Sequence, residues 1–202
     1  LEGNSTLGKA GGVFNGDFTL KSAANSKPAI GAYFKDGAQA LSGNIKVVST
    51  GTASDSSGNP IRPIGLFYAA NTGTLNNGVN ITLANDGVTL NQETIGIYAA
   101  KVADMNNTGN IIINANAKGI GGYFKETNLV NTGNVTVNAD GAFGLYMKAD
   151  GITASVSSNA GIIAANNKDS VGIILDDKAE LTNTGTISSN SGGTASQSGS
   201  IG

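Results

Sequence analysis

Apolar residues in this chain do not recur with a helical period. They come in short bursts around glycine, and the bursts repeat. One burst occurs six times: an apolar residue, Gly, an apolar residue, usually an aromatic, then a further apolar residue. Its copies are Ile30-Gly31-Ala32-Tyr33-Phe34, Ile64-Gly65-Leu66-Phe67-Tyr68, Ile95-Gly96-Ile97-Tyr98-Ala99, Ile120-Gly121-Gly122-Tyr123-Phe124, Phe143-Gly144-Leu145-Tyr146-Met147 and Val171-Gly172-Ile173-Ile174-Leu175. Ile201-Gly202 reads as the opening of another copy.

A second element alternates with the first: a turn ending in Gly, then a short strand of alternating apolar residues. Asn131-Thr132-Gly133-Asn134-Val135-Thr136-Val137 is the clearest copy. Asn107-Thr108-Gly109 leads likewise to Ile111 and Ile113, and Asn183-Thr184-Gly185 to Ile187. A lone apolar residue (Leu75, Met105, Leu129, Leu181) precedes each turn and predicts a third, shorter strand. The shortest full period runs from Gly121 to Gly144, 23 residues on. Three strands of about five residues plus three tight turns need about that length. The spacing grows to 22 residues between Gly43 and Gly65, so one corner absorbs most of the variation.

A period of this size with strand patterns and no helical segment predicts an all-β fold: a right-handed parallel β-helix, or β-solenoid, of about six to seven coils with three short strands per coil. The whole chain, 1–202, reads as a single β-helix segment cut from a longer protein, with variable-corner loops near 49–62, 84–94 and 188–199. The repeats match neither the leucine-rich nor the hexapeptide pattern, and a propeller blade needs about 40 residues.

Composition agrees. There are 30 Gly, 25 Asn, 18 Ser and 18 Thr against three Pro, four Glu and one Arg. That is material for strands joined by many turns, not for helices. Only 13% of residues are charged and the net charge is −2, without a basic cluster, which argues against a nucleic-acid partner. The chain has no Cys, His or Trp. Disulfides, a thiolate nucleophile and the commonest general base are therefore excluded, and neither a metal nor a cofactor is expected.

Alternation assigns the faces. Ile30, Leu66, Ile95, Ile97, Phe124, Leu145, Met147, Ile173 and Leu175 are predicted to point inward from the first element. Phe18, Leu20, Ile45, Val47, Ile81, Leu83, Ile111, Ile113, Val135 and Val137 do so from the second. The opposite phase holds the Gly and, two residues later, Tyr33, Phe67, Tyr98, Tyr123, Tyr146 and Ile174. Coils lie about 4.8 Å apart, so these aromatics are predicted to stack as an outer column. Lys35, Lys125 and Lys148 follow two residues after a Tyr. Such a column either shields the outer face of a sheet or offers a platform for sugar rings or a partner protein, with Lys125 and Lys148 placed to meet acidic sugars.

Catalytic patterns are sparse. Asp176-Asp177 reads as a solvated turn at a strand end, and Asp55-Ser56-Ser57-Gly58-Asn59 lacks the ligand spacing of a calcium loop. Arg62 is the only Arg and lies in the rigid Asn59-Pro60-Ile61-Arg62-Pro63 run. Asn59 and Arg62 are the loop residues singled out for recognition, because loops on a regular scaffold commonly carry binding.

The Ile-Gly-x-Tyr and Asn-Thr-Gly-x-Val repeats, in a Gly/Asn/Ser/Thr-rich chain without Cys or His, resemble the passenger regions of autotransporters, type V secreted surface proteins of Gram-negative bacteria. The texture of residues 119–148 is most similar to very large fusobacterial outer-membrane adhesins. The resemblance spans residues 13–202 and is one of repeat texture, so no family binding residue carries over. It implies a signal peptide and a C-terminal outer-membrane barrel outside this chain, a monomeric passenger at the bacterial surface or secreted, and attachment to a host-cell or bacterial receptor, protein or glycan. The alternatives are a structural spacer holding a distal binding domain away from the cell and, third, a polysaccharide-active β-helix enzyme; the chain is expected not to be an enzyme.

Overall fold

The computed structural model describes residues 12–22, 30–34, 39–49, 63–85, 94–115, 118–151 and 155–190. Its regular structure is entirely β: β1 (Gly12–Ser22), β2 (Ile30–Phe34), β3 (Gln39–Ser49), β4 (Ile64–Asn85), β5 (Thr94–Asn107), β6 (Ile111–Asn114), β7 (Gly119–Lys125), β8 (Asn128–Asn131), β9 (Val135–Asn138), β10 (Phe143–Ala149), β11 (Ser155–Asn159), β12 (Ile162–Ala165), β13 (Val171–Asp177), β14 (Ala179–Asn183) and β15 (Thr186–Ser189). Every pairing among them is parallel. The fold is a parallel β-solenoid.

Copies of each sequence element lie side by side. Ile30, Ile64, Ile95, Ile120, Phe143 and Val171 are successive register partners across β2, β4, β5, β7, β10 and β13. Phe18, Ile45, Ile81, Ile111, Val135, Ile163 and Ile187 form the corresponding series of the second element. The lone apolar residues Leu75, Met105 and Leu129 are partners as well. Strands of about five residues were expected throughout, but β4 runs for 22 residues and β5 for 14. β4 stays paired with β5 from Ile64 opposite Ile95 to Asn77 opposite Asn107, with a register shift between Asn71 and Thr74.

The core is built from both elements. Leu66, Ile97, Phe124, Leu145 and Met147 are buried in one cluster with Ile45, Val47, Ile81, Leu83, Ile111, Ile113, Val135 and Val137, and Ile95 is buried too. Each such side chain contributes about 1.5–3 kcal/mol. Ile30, Leu20 and Ile173 are only half-buried, and Leu175, expected inside, is 48% exposed. Leu175 lies in β13, whose only partner among the described strands is β10, so its column ends there. The side chain of Phe18 lies outside the described residues.

The first-element glycines take the inward side rather than the outer phase expected for them. The registers step from Ile64 to Leu66 and omit Gly65, a local break in alternation. A Cβ on Gly96 would come within 2.5 Å of Cγ2 of Ile111 and would also collide with the carbonyl oxygen of Gly121. The β-branched side chains of the second element thus fill the space that a side chain at Gly would need.

The Gly-ending turns carry an amide ladder that is buried from Asn77 to Asn159 and exposed at Asn183. Asn77 donates to Asn107, Asn107 to Asn131, Asn131 to Asn159 and Asn159 to Asn183, each through Nδ2 to Oδ1 at 2.7 Å. Asn107, Asn131 and Asn159 also donate to the carbonyl of the Gly two residues on, at 2.9–3.0 Å. Buried amides are tolerated because their polar groups are paired. The turn glycines Gly109, Gly133, Gly161 and Gly185 are not among the glycines with positive φ. They are required for close approach: a Cβ on Gly133 would strike the carbonyl of Gly109, and one on Gly161 the carbonyl of Gly133.

Candidate functional site

β2, β4, β5, β7 and β10 each place one ring at the same register: Tyr33, Phe67, Tyr98, Tyr123 and Tyr146 are successive partners. All five are half-buried, while the intervening Phe34, Leu66, Tyr68, Ile97, Phe124, Leu145 and Met147 are buried. The outer assignment of the aromatics therefore holds. Ring centroids are separated by 5.2 Å for Tyr33–Phe67, 4.9 Å for Phe67–Tyr98, 5.1 Å for Tyr98–Tyr123 and 5.3 Å for Tyr123–Tyr146, with interplanar angles of 20°, 7°, 12° and 26°. The result is a continuous stack along the solenoid.

Stacking changes what the strip can offer. Both faces of Phe67, Tyr98 and Tyr123 are covered by neighbouring rings, so solvent meets ring edges and phenol hydroxyls. A sugar laid flat on an open ring face, the platform imagined from the sequence, has no such face on these three residues. At the other end Phe143 packs edge-on against Tyr146 at 6.4 Å.

The two lysines beside the strip are already engaged. Lys125 Nζ is 3.0 Å from Asp150 Oδ2, and Lys148 Nζ is 3.3 Å from Asp176 Oδ2 and 3.0 Å from Asp177 Oδ2. The Tyr146 hydroxyl donates to Asp176 Oδ2 at 2.8 Å. Asp176-Asp177, read from the sequence as a bare solvated turn, is thus the anchor that ties β13 to β10. The repeat alignment carried the signal, because Asp176 is the register partner of Lys148, which is itself the partner of Lys125.

These contacts set the protonation behaviour. Hydrogen bonds to Asp177 and Asp176 hold the Lys148 ammonium above the usual lysine range, and Asp150 does the same for Lys125. The Lys125 partner holds the Asp150 carboxyl below its ordinary value; the Tyr146 hydroxyl, followed by Lys148, does so for Asp176. Burial raises the Tyr123 phenol, and the hydrogen bond to Asp176 is the main cause for Tyr146.

Asn59 and Arg62, and the interiors of the three variable-corner loops, lie outside the described residues. Away from the strip, a depression of about 380 Å³ on the β1–β3–β4 face is lined by Asp17, Thr19, Asn44, Ile45, Lys46 and Thr82, with Asn44 committed to Asp17 at 2.7 Å. No protein-family model, curated protein or solved structure matches the chain.

Proposed function

We propose that this chain is a rod-forming segment of a bacterial surface adhesin of the autotransporter passenger type, displayed outside the outer membrane and acting by attachment rather than catalysis. One observation carries the reading: a regular β-solenoid presents an unbroken aromatic strip, Tyr33 to Tyr146, on its outer face. The partner is a host-cell or bacterial receptor, protein or glycan, that meets the strip through ring edges and phenol hydroxyls. The rod has six to seven coils of three strand segments, which run together in β4 and β5, wound right-handed as parallel crossovers prefer. The register series through Ile30 and Val171 and through Phe18 and Ile187 support that count.

Changing Tyr123 to Ser tests the reading. The substitution removes two ring contacts worth about 0.5–1.5 kcal/mol each, so the protein should stay folded with a modestly lower Tm. Cell attachment should fall, and glycan-array binding with it where the receptor is a glycan. A folded variant with undiminished attachment would remove the strip from the binding surface.

The second reading, a spacer holding a distal binding domain, is favoured by a different observation. Lys125 and Lys148 are consumed by Asp150, Asp176 and Asp177, and both faces of the central rings are occupied. A spacer should show no attachment of its own, with or without Tyr123.

A further inference from the structure

Three of the five stacked rings are consecutive tyrosines, Tyr98, Tyr123 and Tyr146, with centroids 5.1 and 5.3 Å apart and nearly parallel planes. They leave adjacent strands at the same register, so their phenol ends share one side of the stack. We propose that this run is a site of oxidative cross-linking, at which a one-electron oxidant, such as a haem peroxidase supplied with hydrogen peroxide, couples neighbouring tyrosines into dityrosine and staples adjacent coils covalently.

The chemistry balances as follows. Each of two tyrosines loses one electron and its phenolic proton, giving two phenoxyl radicals. The radicals join by a carbon–carbon bond between ring positions ortho to oxygen. The two displaced ortho hydrogens then move to the oxygens, restoring both phenols. The net loss is two electrons and two protons, which reduce one peroxide to two waters. Stacking supplies the proximity that radical coupling requires, since a radical on one ring has its partner within van der Waals range. Tyr146 has an added advantage as the first site of oxidation. Its hydroxyl already donates to Asp176 Oδ2 at 2.8 Å, so the proton has an acceptor as the electron leaves.

The surroundings select this site. The sequence has no Cys, Trp or His to compete for the oxidant, and both methionines, Met105 and Met147, are buried. The five tyrosines are not equivalent. Phe67 separates Tyr33 from Tyr98 in the stack, and Tyr68 is buried with its ring edge-on to Phe34 at 6.5 Å. Only the pairs 98–123 and 123–146 are therefore disposed to couple. Tyr123 belongs to both.

The test treats dilute protein with a haem peroxidase and hydrogen peroxide, then isolates the monomer. Dityrosine fluorescence and a mass loss of two hydrogens are expected. Trypsin cuts after Lys101, Lys118, Lys125 and Lys148, which places the three tyrosines in separate peptides. Fragment ions should assign the link to Tyr98–Tyr123 or Tyr123–Tyr146. Tyr123→Phe keeps the ring and should abolish the intramolecular product; Tyr98→Phe should leave the 123–146 link alone; Phe67→Tyr should add links to Tyr33 or Tyr98. Product in the Tyr123→Phe variant equal to the unmodified chain, coupling that uses Tyr68, or the same pattern from urea-unfolded protein would overturn the proposal.

Discussion

The residue that shows most clearly how this chain is held together is Asn131. It is buried, accepts from Asn107, and donates both to Asn159 and to the carbonyl of Gly133. Replacing it with Leu keeps the branched shape but leaves one N–H of the Asn107 amide and the side-chain oxygen of Asn159 unpaired. Each buried group left unpaired costs about 1–3 kcal/mol. Urea denaturation of Asn131→Leu should show a lower midpoint with an unchanged m-value. An unchanged midpoint would mean that the ladder contributes nothing beyond packing. The repetition of Asn-Thr-Gly made the turn readable from the sequence. The reason for its glycine was not readable, because a carbonyl one coil away, rather than local backbone, forbids the Cβ.

At the scale of elements, β10 and β13 are joined by a cluster that titrates at both ends of the pH range. Asp176 is held below its unfolded value. Its contribution to stability is therefore fully present above the unfolded Asp value of about 3.9 and is lost as pH falls through the lower folded value. Lys148 and Tyr146 are held above theirs. Their contributions are fully present below the unfolded values, about 10 for both, and are lost as pH rises through the higher folded ones. The Tm of Asp176→Asn should lie below that of the unmodified chain at neutral pH, and the gap should close in acid as Asp176 protonates. A gap independent of pH down to the acid limb would assign the loss to packing. The strands themselves were legible from alternating residues such as Val135 and Val137. The length of β4 was not, since pairing through a corner depends on the coil stacked beside it.

For the molecule as a whole, the register series imply a modular object. Deleting residues 121–143 joins Ile120 directly to Gly144 and preserves the order of elements, because Ile120 and Phe143 are register partners. Solenoid stability is approximately a sum over repeats and their interfaces. The shortened chain should remain folded with a β-type circular dichroism spectrum, a lower stability and a shorter rod by small-angle scattering. Loss of cooperative unfolding would refute modularity.

The sequence by itself determined the all-β parallel solenoid, the two main inward columns and the outer aromatic column. All of these follow from periodicity, which repeats in the chain before it repeats in space. The tertiary structure decided what the columns do to one another. It turned the first-element glycines inward under Ile81 and Ile111, covered both faces of Phe67, Tyr98 and Tyr123 so that their edges and hydroxyls meet solvent, and tied Lys125 and Lys148 to aspartates 25–29 residues further along the chain. These outcomes rest on contacts between coils, where the spacing of a few ångströms, and not the order of residues along one strand, chooses the partner.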